Sequence, residues 1–255
     1  MEKLIVLKVG GKVVENESLL ADLLADFSML EGRKVLVHGG GRLATQLAST
    51  LGIESRMVDG RRITNAETLK VVAMVYAGWV NKTIVARLQA LNMNAVGLTG
   101  ADMNVIRSIK RPVETIDYGF VGDVKAVNID ALLLLLHRDI IPVLSPLTHD
   151  GNGCLLNTNA DTIACETAKV LSKQFDVTLI YCFEKRGVLT NEADDDSVIP
   201  EMDKAAFIQY REQKIITGGM IPKLENAFQA IDAGVKRVVI TKASDIRKNT
   251  GTFIR

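Results

Sequence analysis

Two short apolar runs in the first part of the chain each end in consecutive glycines. They are residues 4–11, LIVLKVGG, and residues 34–41, KVLVHGGG. An apolar run rich in β-branched residues predicts a buried strand, and glycine lets the backbone after it turn with positive φ and approach a ligand closely. Backbone N–H groups exposed at such a turn, where a helix begins, bind phosphate. With Lys8 near the end of the first run, the pattern predicts a polyphosphate site at the edge of an α/β sheet.

Strand-like and helix-like patterns alternate along the rest of the chain. Strands are predicted at residues 95–98, 140–144, 177–183 and 235–241, and helices at 17–30, 43–51, 64–91, 128–138, 160–174, 204–212 and 222–233. Strands separated by helices of this length predict a mostly parallel central sheet with helices on both faces, which is an open αβα sandwich. Residues 105–125 are rich in glycine and charge and predict an inserted hairpin.

The longest predicted helix runs to Leu91. Residues 64–67, TNAE, have the pattern of a capping box, in which Thr64 would cap the first turn and Glu67 would bond back to it. Gly78 lies in the middle of this helix and is the predicted position of a bend.

The composition is that of an ordinary folded domain. The chain has 255 residues, 47% of them hydrophobic and 24% charged, enough for one large α/β domain or two small lobes. A net charge of +1 gives no electrostatic reason to bind nucleic acid or an anionic membrane. The three cysteines form no C-x-x-C pair and the N-terminus has no leader pattern, which predicts reduced thiols in the cytoplasm. The three histidines lack ligand spacing, so no protein-held metal is predicted.

Two further segments place polar residues at the start of a helix. Residues 155–161, LLNTNAD, bring Asn157, Asn159 and Asp161 to alternate positions, on one side if the segment is extended. This is more polarity than one helix cap needs. Residues 217–223, TGGMIPK, put Lys223 in a first helical turn, where its charge opposes the helix dipole. A negatively charged ligand would compensate that lysine.

Arg61 and Arg62 lie together just before the capping-box pattern. Arginine presents a rigid fork of donors that matches a carboxylate or a phosphate. A loop arginine is otherwise a surface charge, and the residue pattern alone leaves both interpretations open.

A competing hypothesis is a nicotinamide-dependent oxidoreductase. Residues 39–44 satisfy the dinucleotide pattern G-x-G-x-x-G/A after a strand, and Asp59 is an acid at about the expected distance. A glycine run matches this pattern easily, however, and the hypothesis gives no role to Lys8 or Lys223. A nucleotide sensor without turnover is a third hypothesis, and it would not need both lysines.

The glycine clusters and polar helix entries together resemble the amino acid kinase family, and within it the acetylglutamate kinases. The matching segments occur in the family's order and span almost the whole chain: Lys8–Gly11, Val37–Gly41, Asp59–Thr64, Gly119–Asp123, Leu156–Asp161, Gly219–Lys223 and Gly251-Thr252. No single segment is decisive, but the ordered set is specific.

The resemblance implies an open αβα sandwich in which residues 1–175 bind an acyl amino acid and residues 176–255 bind ATP. The implied reaction transfers the γ-phosphoryl group of ATP, which arrives with Mg²⁺, to a side-chain carboxylate and gives an acyl phosphate. Such a transfer needs mainly positioning and charge compensation from the protein.

The resemblance also implies roles for individual residues. Lys8 and Lys223 would neutralise charge on the moving phosphoryl group, and Asp161 would hold both ammonium groups. Arg62 and Asn157 would bind the α-carboxylate of the substrate, and Asn159 would also contact the substrate. The backbone N–H groups that line the phosphoryl path belong to the glycines at positions 10, 11, 40 and 41.

The chain departs from the family pattern in three places. Residues 181–186, YCFEKR, replace the usual Thr/Ser-Asp pair, so no adenine contacts are assigned. No helix precedes the first strand, which predicts a homodimer without arginine feedback. Arg61 stands where relatives that use N-acetylglutamate typically have leucine beside the acetyl methyl group. It predicts either a solvent-facing arginine with the usual acetyl substrate or a preference for a dicarboxylic acyl group, as in N-succinylglutamate.

Overall fold

The computed structural model of the protein describes residues 1–58 and 61–255. The two residues outside this description, Asp59 and Gly60, include the acid of the dinucleotide pattern and the start of the Asp59–Thr64 segment. The centre of the fold is one eight-stranded sheet with the order β12-β14-β13-β11-β1-β2-β8-β5. Its strands are β1 Lys3–Val9, β2 Arg33–His38, β5 Ala95–Leu98, β8 Ile141–Leu144, β11 Asp176–Phe183, β12 Glu201–Met202, β13 Arg237–Lys242 and β14 Thr252–Ile254.

Six smaller strands lie outside this sheet. Four form a second sheet in the order β10-β9-β6-β7, and two form a short hairpin. The second sheet consists of β6 Ile106–Lys110, β7 Gly122–Val127, β9 Leu147–His149 and β10 Leu155–Asn157, and the short hairpin of β3 Met57–Val58 and β4 Arg61–Arg62. The antiparallel pair β6–β7 is the inserted hairpin that the sequence predicts.

The helices connect the strands and cover the central sheet. They are α1 Gly11–Glu15, α2 Glu17–Ser28, α3 Gly41–Thr50, α4 Ala66–Ala73, α5 Asn81–Ala90, α6 Ile129–Leu136, α7 Ala160–Leu171, α8 Lys204–Glu212 and α9 Met220–Asp232. A π-helical segment, Met74–Val80, joins α4 to α5, and short 3₁₀ turns lie at Asp102–Asn104 and Ala243–Asp245.

The central sheet is parallel except at one edge, where β14 runs antiparallel to β13. Fully buried strand residues such as Leu4 and Leu7 point to opposite faces, and each face has its own hydrophobic core. The fold is therefore the predicted αβα sandwich. Because β1 lies between β2 and β11 in parallel register, the carboxyl ends of these three strands meet at one edge of the sheet.

The start of α4 differs from the predicted capping box. Asn65, not Thr64, is the N-cap, and its side-chain oxygen accepts from the N–H of Thr68 at 2.8 Å. Thr64 is fully buried and its hydroxyl donates to the carbonyl oxygen of Arg62 at 3.0 Å. The helix therefore begins one residue later than the pattern indicated, because the Thr64 hydroxyl is hydrogen-bonded to Arg62 and Asn157 and does not cap the helix.

The helical run Ala66–Ala90 is long and apolar enough to cross a membrane by length and composition. In this fold its apolar side chains contribute to the hydrophobic core. Val72, Val80 and Ile84 are buried in the hydrophobic core between this run and the central sheet. Gly78, where a bend was predicted, lies within the π-helical segment, so the irregularity is a change of helix type.

Candidate active site

Two helices begin at the same edge of the central sheet, directly after β1 and β2. The first turn of α1 starts at Gly11, and that of α3 starts at Gly41. A Cβ built on Gly11 would lie 3.9 Å from the backbone nitrogens of both Gly40 and Gly41. Because the first N–H groups of a helix have no partner within it, the two helix starts together form a cluster of donors suited to an anion.

The glycines of the two clusters serve different purposes. The N–H of Gly10 donates to the carbonyl oxygen of Cys182 at 2.9 Å, and that of Gly39 donates to the carbonyl oxygen of Val9 at 3.0 Å. In this arrangement the N–H of Gly10 is not available to a phosphate, although its residue lines the larger cavity of the site. Gly40 has φ +159, and a Cβ there would press on the Tyr76 ring at 3.0 Å.

A charged triad occupies the space beside these helix starts. Asp161, in the first turn of α7, lies 2.6 Å from the Nζ of Lys8 through Oδ1 and 3.0 Å from the Nζ of Lys223 through Oδ2. Lys8 and Asp161 are buried, at 7% exposure each. The three residues come from β1, α7 and α9, so the long-range fold brings together the catalytic set that the sequence predicted. The first-turn position of Lys223, unfavourable for its own helix, is compensated by Asp161.

The local surroundings of Asp161 keep its carboxyl group ionised. Burial alone would raise its pKa, but the ammonium groups of Lys8 and Lys223 together lower the pKa to about 2. The hydroxyl of Tyr181 donates to the backbone carbonyl oxygen of Asp161 at 3.2 Å and fixes the start of α7. A carboxylate of this kind holds two cations in place and does not act as a proton acceptor near neutral pH.

A cavity on one side of the triad, here called the substrate cavity, is lined by all six of the predicted substrate-binding residues. Its lining residues come from the second glycine cluster, the β4 arginines and the start of α7, and include Gly40, Gly41, Arg61, Arg62, Asn157 and Asn159.

Arg62 is a buried part of the substrate cavity wall, at 7% exposure, and not a surface charge. Its guanidinium donates to the carbonyl oxygen of Gly41 at 2.7 Å and to the hydroxyls of Thr45 at 2.8 Å and Ser55 at 2.8 Å. Among residues 1–58 and 61–255, these three contacts use three of its five N–H donors.

The two asparagines are held in different ways. Asn157 ends β10, lines the substrate cavity and donates through Nδ2 to the hydroxyl of Thr64 at 3.0 Å. Asn159 is the N-cap of α7, and its side-chain oxygen accepts from the N–H groups of Asp161 and Thr162. The segment is extended only as far as Asn159, so Asp161 turns away from the asparagines and toward the lysines.

Arg61 is half-buried and lines the substrate cavity beside Met57 and Val121. Burial and the nearby charge of Arg111 lower the pKa of its guanidinium, while Asp123 raises it. Asp123 is itself paired with Arg111. Within the described parts of the chain, Arg61 has no salt bridge of its own, and its charge is available to a ligand in the cavity.

A larger cavity lies on the other side of the triad, here called the nucleotide cavity. It is lined by both lysines of the triad, by residues 10–12 and by the loops after β11 and before α9. Phe183, Glu184 and Lys185, from the segment that departs from the family pattern, all form part of its wall.

Several residues that line the site were not predicted from the sequence. Tyr76 lines the substrate cavity from the middle of a helix, where its aromatic ring looked like ordinary core. Lys12 and Arg42 lie in the first turns of α1 and α3 and line the nucleotide cavity, and Lys12 pairs with Glu184. Like Lys223, both are basic residues in a first helical turn, where their charge opposes the helix dipole, so the same local pattern marks them.

No group of three or more histidine, cysteine, aspartate or glutamate side chains within residues 1–58 and 61–255 is arranged to hold a metal ion. The donors in the nucleotide cavity are instead two lysines, backbone N–H groups and single carboxylates. This set suits a magnesium ion that enters with nucleotide phosphates, since Mg²⁺ in such sites is bound largely by the phosphates and water.

Comparison with known proteins places this fold and site in one class. The chain matches the model of the amino acid kinase family over residues 3–242 and belongs to that family. Its relatives include proteins named acetylglutamate kinase from Parabacteroides distasonis, 69% identical, and from Bacteroides thetaiotaomicron, 66% identical; each match covers 99–100% of both chains. Among solved structures, smu.665 from Streptococcus mutans is 27% identical, with a TM-score of 0.83 over 98% of both chains.

The triad gives a direct test of the catalytic assignment. We expect Lys8→Ala and Lys223→Ala each to lower kcat by about two decades or more, with a smaller effect on KM, because their charge matters most in the transition state. Asp161→Asn should also lower kcat, and it should destabilise the protein by roughly 3 kcal/mol because Lys8 loses its buried partner. Steady-state kinetics and denaturant unfolding measure these effects, and near-normal turnover in any variant would contradict its role.

Proposed function

We propose that this protein is an ATP-dependent N-acylglutamate kinase, with N-acetylglutamate as the first substrate to test. It would transfer the γ-phosphoryl group of ATP to the side-chain carboxylate and give an acyl phosphate and ADP. The observation that carries the proposal is the triad of Lys8, Asp161 and Lys223 between two cavities, in a chain whose full-length relatives are named acetylglutamate kinase.

The geometry supports in-line transfer between the two cavities. ATP would enter the nucleotide cavity with its γ-phosphoryl group toward Lys8 and Lys223, and the acyl amino acid would occupy the substrate cavity. The N–H groups of Gly11, Gly40 and Gly41 would donate to the oxygens of the group in transfer. Since the attacking carboxylate carries no proton at neutral pH, no general base is required, and Asp161 serves only to hold the lysines.

The two halves of the chain would bind different ligands, the acyl amino acid and ATP. Residues 1–175 supply the lining of the substrate cavity, and residues 176–255 supply much of the lining of the nucleotide cavity, which supports this division. The central sheet runs through both halves by way of the β1–β11 pair. Magnesium would arrive on ATP and would offset phosphate charge during transfer.

Assembly and location extend the same proposal. We expect a homodimer, and the exposed Trp79 and Met74 of the π-helical segment, at 69% and 53% exposure, offer an apolar surface to a second copy. We expect the enzyme to act in the cytoplasm, where ATP is available. The location also suits the three cysteines, which are free thiols in the structure.

The experiment that tests the function combines turnover with ligand binding. We expect the purified protein to form ADP from ATP only when an N-acylglutamate is present, and we expect MgATP, but not NAD or NADP, to raise its melting temperature. The oxidoreductase hypothesis predicts the reverse order of stabilisation. Selective stabilisation by NAD, without ATP turnover, would overturn the kinase proposal.

Arg62 provides a test of the substrate cavity. We expect Arg62→Lys to raise KM for the acyl amino acid by about tenfold or more, because lysine cannot reproduce the planar set of guanidinium donors. The effect on KM for MgATP should be much smaller. Arg56→Lys is a matched control, since Arg56 lies nearby in sequence but is not part of the cavity wall. An unchanged KM for the acyl amino acid in Arg62→Lys would remove Arg62 from substrate binding.

Arg61 provides a test of the acyl group. If its charge faces the acyl tail, N-succinylglutamate should have a higher kcat/KM than N-acetylglutamate, and Arg61→Leu should reverse that order, because the succinyl carboxylate loses its guanidinium partner. If Arg61 faces solvent, the acetyl compound should be preferred in both proteins. A wild-type preference for the acetyl compound that Arg61→Leu does not change therefore ends the succinyl alternative.

A further inference from the structure

The backbone of the second glycine cluster, residues 39–41, is held by two side chains of a single helical run. The ring of Tyr76 packs against Gly40, where a Cβ would come within 3.0 Å of Cδ1. Asn81 reaches the same cluster through His38, with 3.1 Å between Asn81 Nδ2 and His38 Nε2. Tyr76 belongs to the π-helical segment, and Asn81 is the first residue of α5.

The hydrogen bonds around His38 define one tautomer and one amide orientation. Nδ1 of His38 lies 2.8 Å from the carbonyl oxygen of Gly39, which can only accept, so Nδ1 carries the proton. Nε2 is then an acceptor, and Asn81 Nδ2 donates both to it and to the carbonyl oxygen of Val143 at 2.9 Å. His38 is fully buried, and burial lowers its pKa to about 4, so the ring stays neutral at physiological pH.

The helix type explains how Tyr76 and Asn81 face the same target. Residues five apart in an α-helix point about 140° away from each other, because each residue turns the chain by about 100°. In the π-helical segment the backbone bond runs from residue i to residue i+5, and the N–H of Asn81 indeed bonds the carbonyl oxygen of Tyr76. Tyr76 and Asn81 therefore lie on one side of the helix, both directed at the glycine cluster.

We propose that the π-helical segment is a positioning device for residues 39–41, with Asn81 and His38 as positioning residues for the acyl amino acid. The proposal rests on the proposed function, because residues 39–41 line the cavity that would bind the acyl amino acid. Asn81 acts through His38, whose Nδ1–H fixes the carbonyl of Gly39 and so the direction of the N–H groups that follow. Removal of the Asn81 amide would leave the buried Nε2 of His38 without its donor and release the tautomer of His38.

Amide hydrogen exchange tests the device without any assay of activity. In the wild-type protein and in Asn81→Ala, exchange would be followed by mass spectrometry in peptides that cover residues 38–44. We expect exchange in these peptides to be about tenfold faster in Asn81→Ala, since a lost buried hydrogen bond has about that effect on a local opening equilibrium. Gly78→Ala, in the π-helical segment with no atom within 4 Å of the new Cβ, should exchange like the wild type.

Leu88→Ala is the control for general loss of stability. Leu88 is fully buried on the same helix as Asn81 but does not line either cavity of the site. The proposal is overturned if Asn81→Ala leaves exchange at residues 38–44 unchanged. It is also overturned if Leu88→Ala accelerates exchange there as much as Asn81→Ala at an equal loss of melting temperature.

Kinetics then separate positioning from mere stability. We expect Asn81→Ala to lower kcat and to raise KM for N-acetylglutamate by about tenfold, with KM for MgATP within about twofold, since residues 40 and 41 line the substrate cavity and would donate to the group in transfer. His38→Asn keeps a donor near Gly39 and should retain more activity than His38→Ala. In the His38→Ala background, Asn81→Ala should add little, because the two residues act in series.

The outcomes distinguish the two proposals. If the wild-type protein does not phosphorylate an N-acylglutamate, the proposed function fails, and the exchange experiment still decides whether the π-helical segment orders residues 39–41. If the wild-type protein is active but Asn81→Ala and Leu88→Ala have the same KM for the acyl amino acid, the function stands and the positioning role is wrong.

Discussion

The structure around the site depends on one buried carboxylate between two ammonium groups. Removing three charges from water costs several kcal/mol for each ion, and only close mutual contact and hydrogen bonding recover that cost. Lys8 extends from the middle strand of the sheet, and its neighbouring strand β11 supplies Tyr181, which holds the backbone at Asp161. The triad leaves one positive charge uncompensated. That surplus favours the entry of a polyphosphate into the nucleotide cavity, whose lining carries more basic than acidic side chains.

The parallel sheet makes this arrangement possible. Adjacent parallel strands end at the same edge, so the helices that follow β1 and β2 both begin there. A Cβ on Gly11, at the start of the first helix, would lie 3.9 Å from the backbone nitrogen of Gly41, at the start of the second. An antiparallel hairpin would have placed these glycines at opposite ends. The inserted second sheet closes the far side of the substrate cavity, where Val121 and Asn157 form an isolated bridge. The central sheet therefore positions the N–H groups, and the second sheet forms one wall of the substrate cavity.

The sequence predicted the class of fold, the β6–β7 hairpin and the residues of the triad, because each depends on a local pattern that survives folding. It did not predict that the carbonyl oxygen of Cys182 accepts a hydrogen bond from the N–H of Gly10, since that bond depends on which strand lies beside β1. It placed the helix cap at Thr64 because the buried contact with Asn157, 93 positions away, leaves no local trace. Tyr76 was missed for a similar reason: its role depends on a π-helical turn that hydrophobic periodicity does not distinguish from an α-helix.

The hydrogen bonds of Arg62 connect the two cavities. Its guanidinium holds the carbonyl oxygen of Gly41, the residue whose N–H would face the phosphoryl group, and the hydroxyl of Thr45 one turn further along α3. A carboxylate that binds the remaining donors of Arg62 would therefore also restrain the start of α3. On the proposed function, binding of the acyl amino acid would also organise the N–H groups that bind the phosphoryl group. An enzyme built so would transfer phosphate to water slowly when the acyl amino acid is absent, because the N–H groups that stabilise the transferred group would be less well ordered.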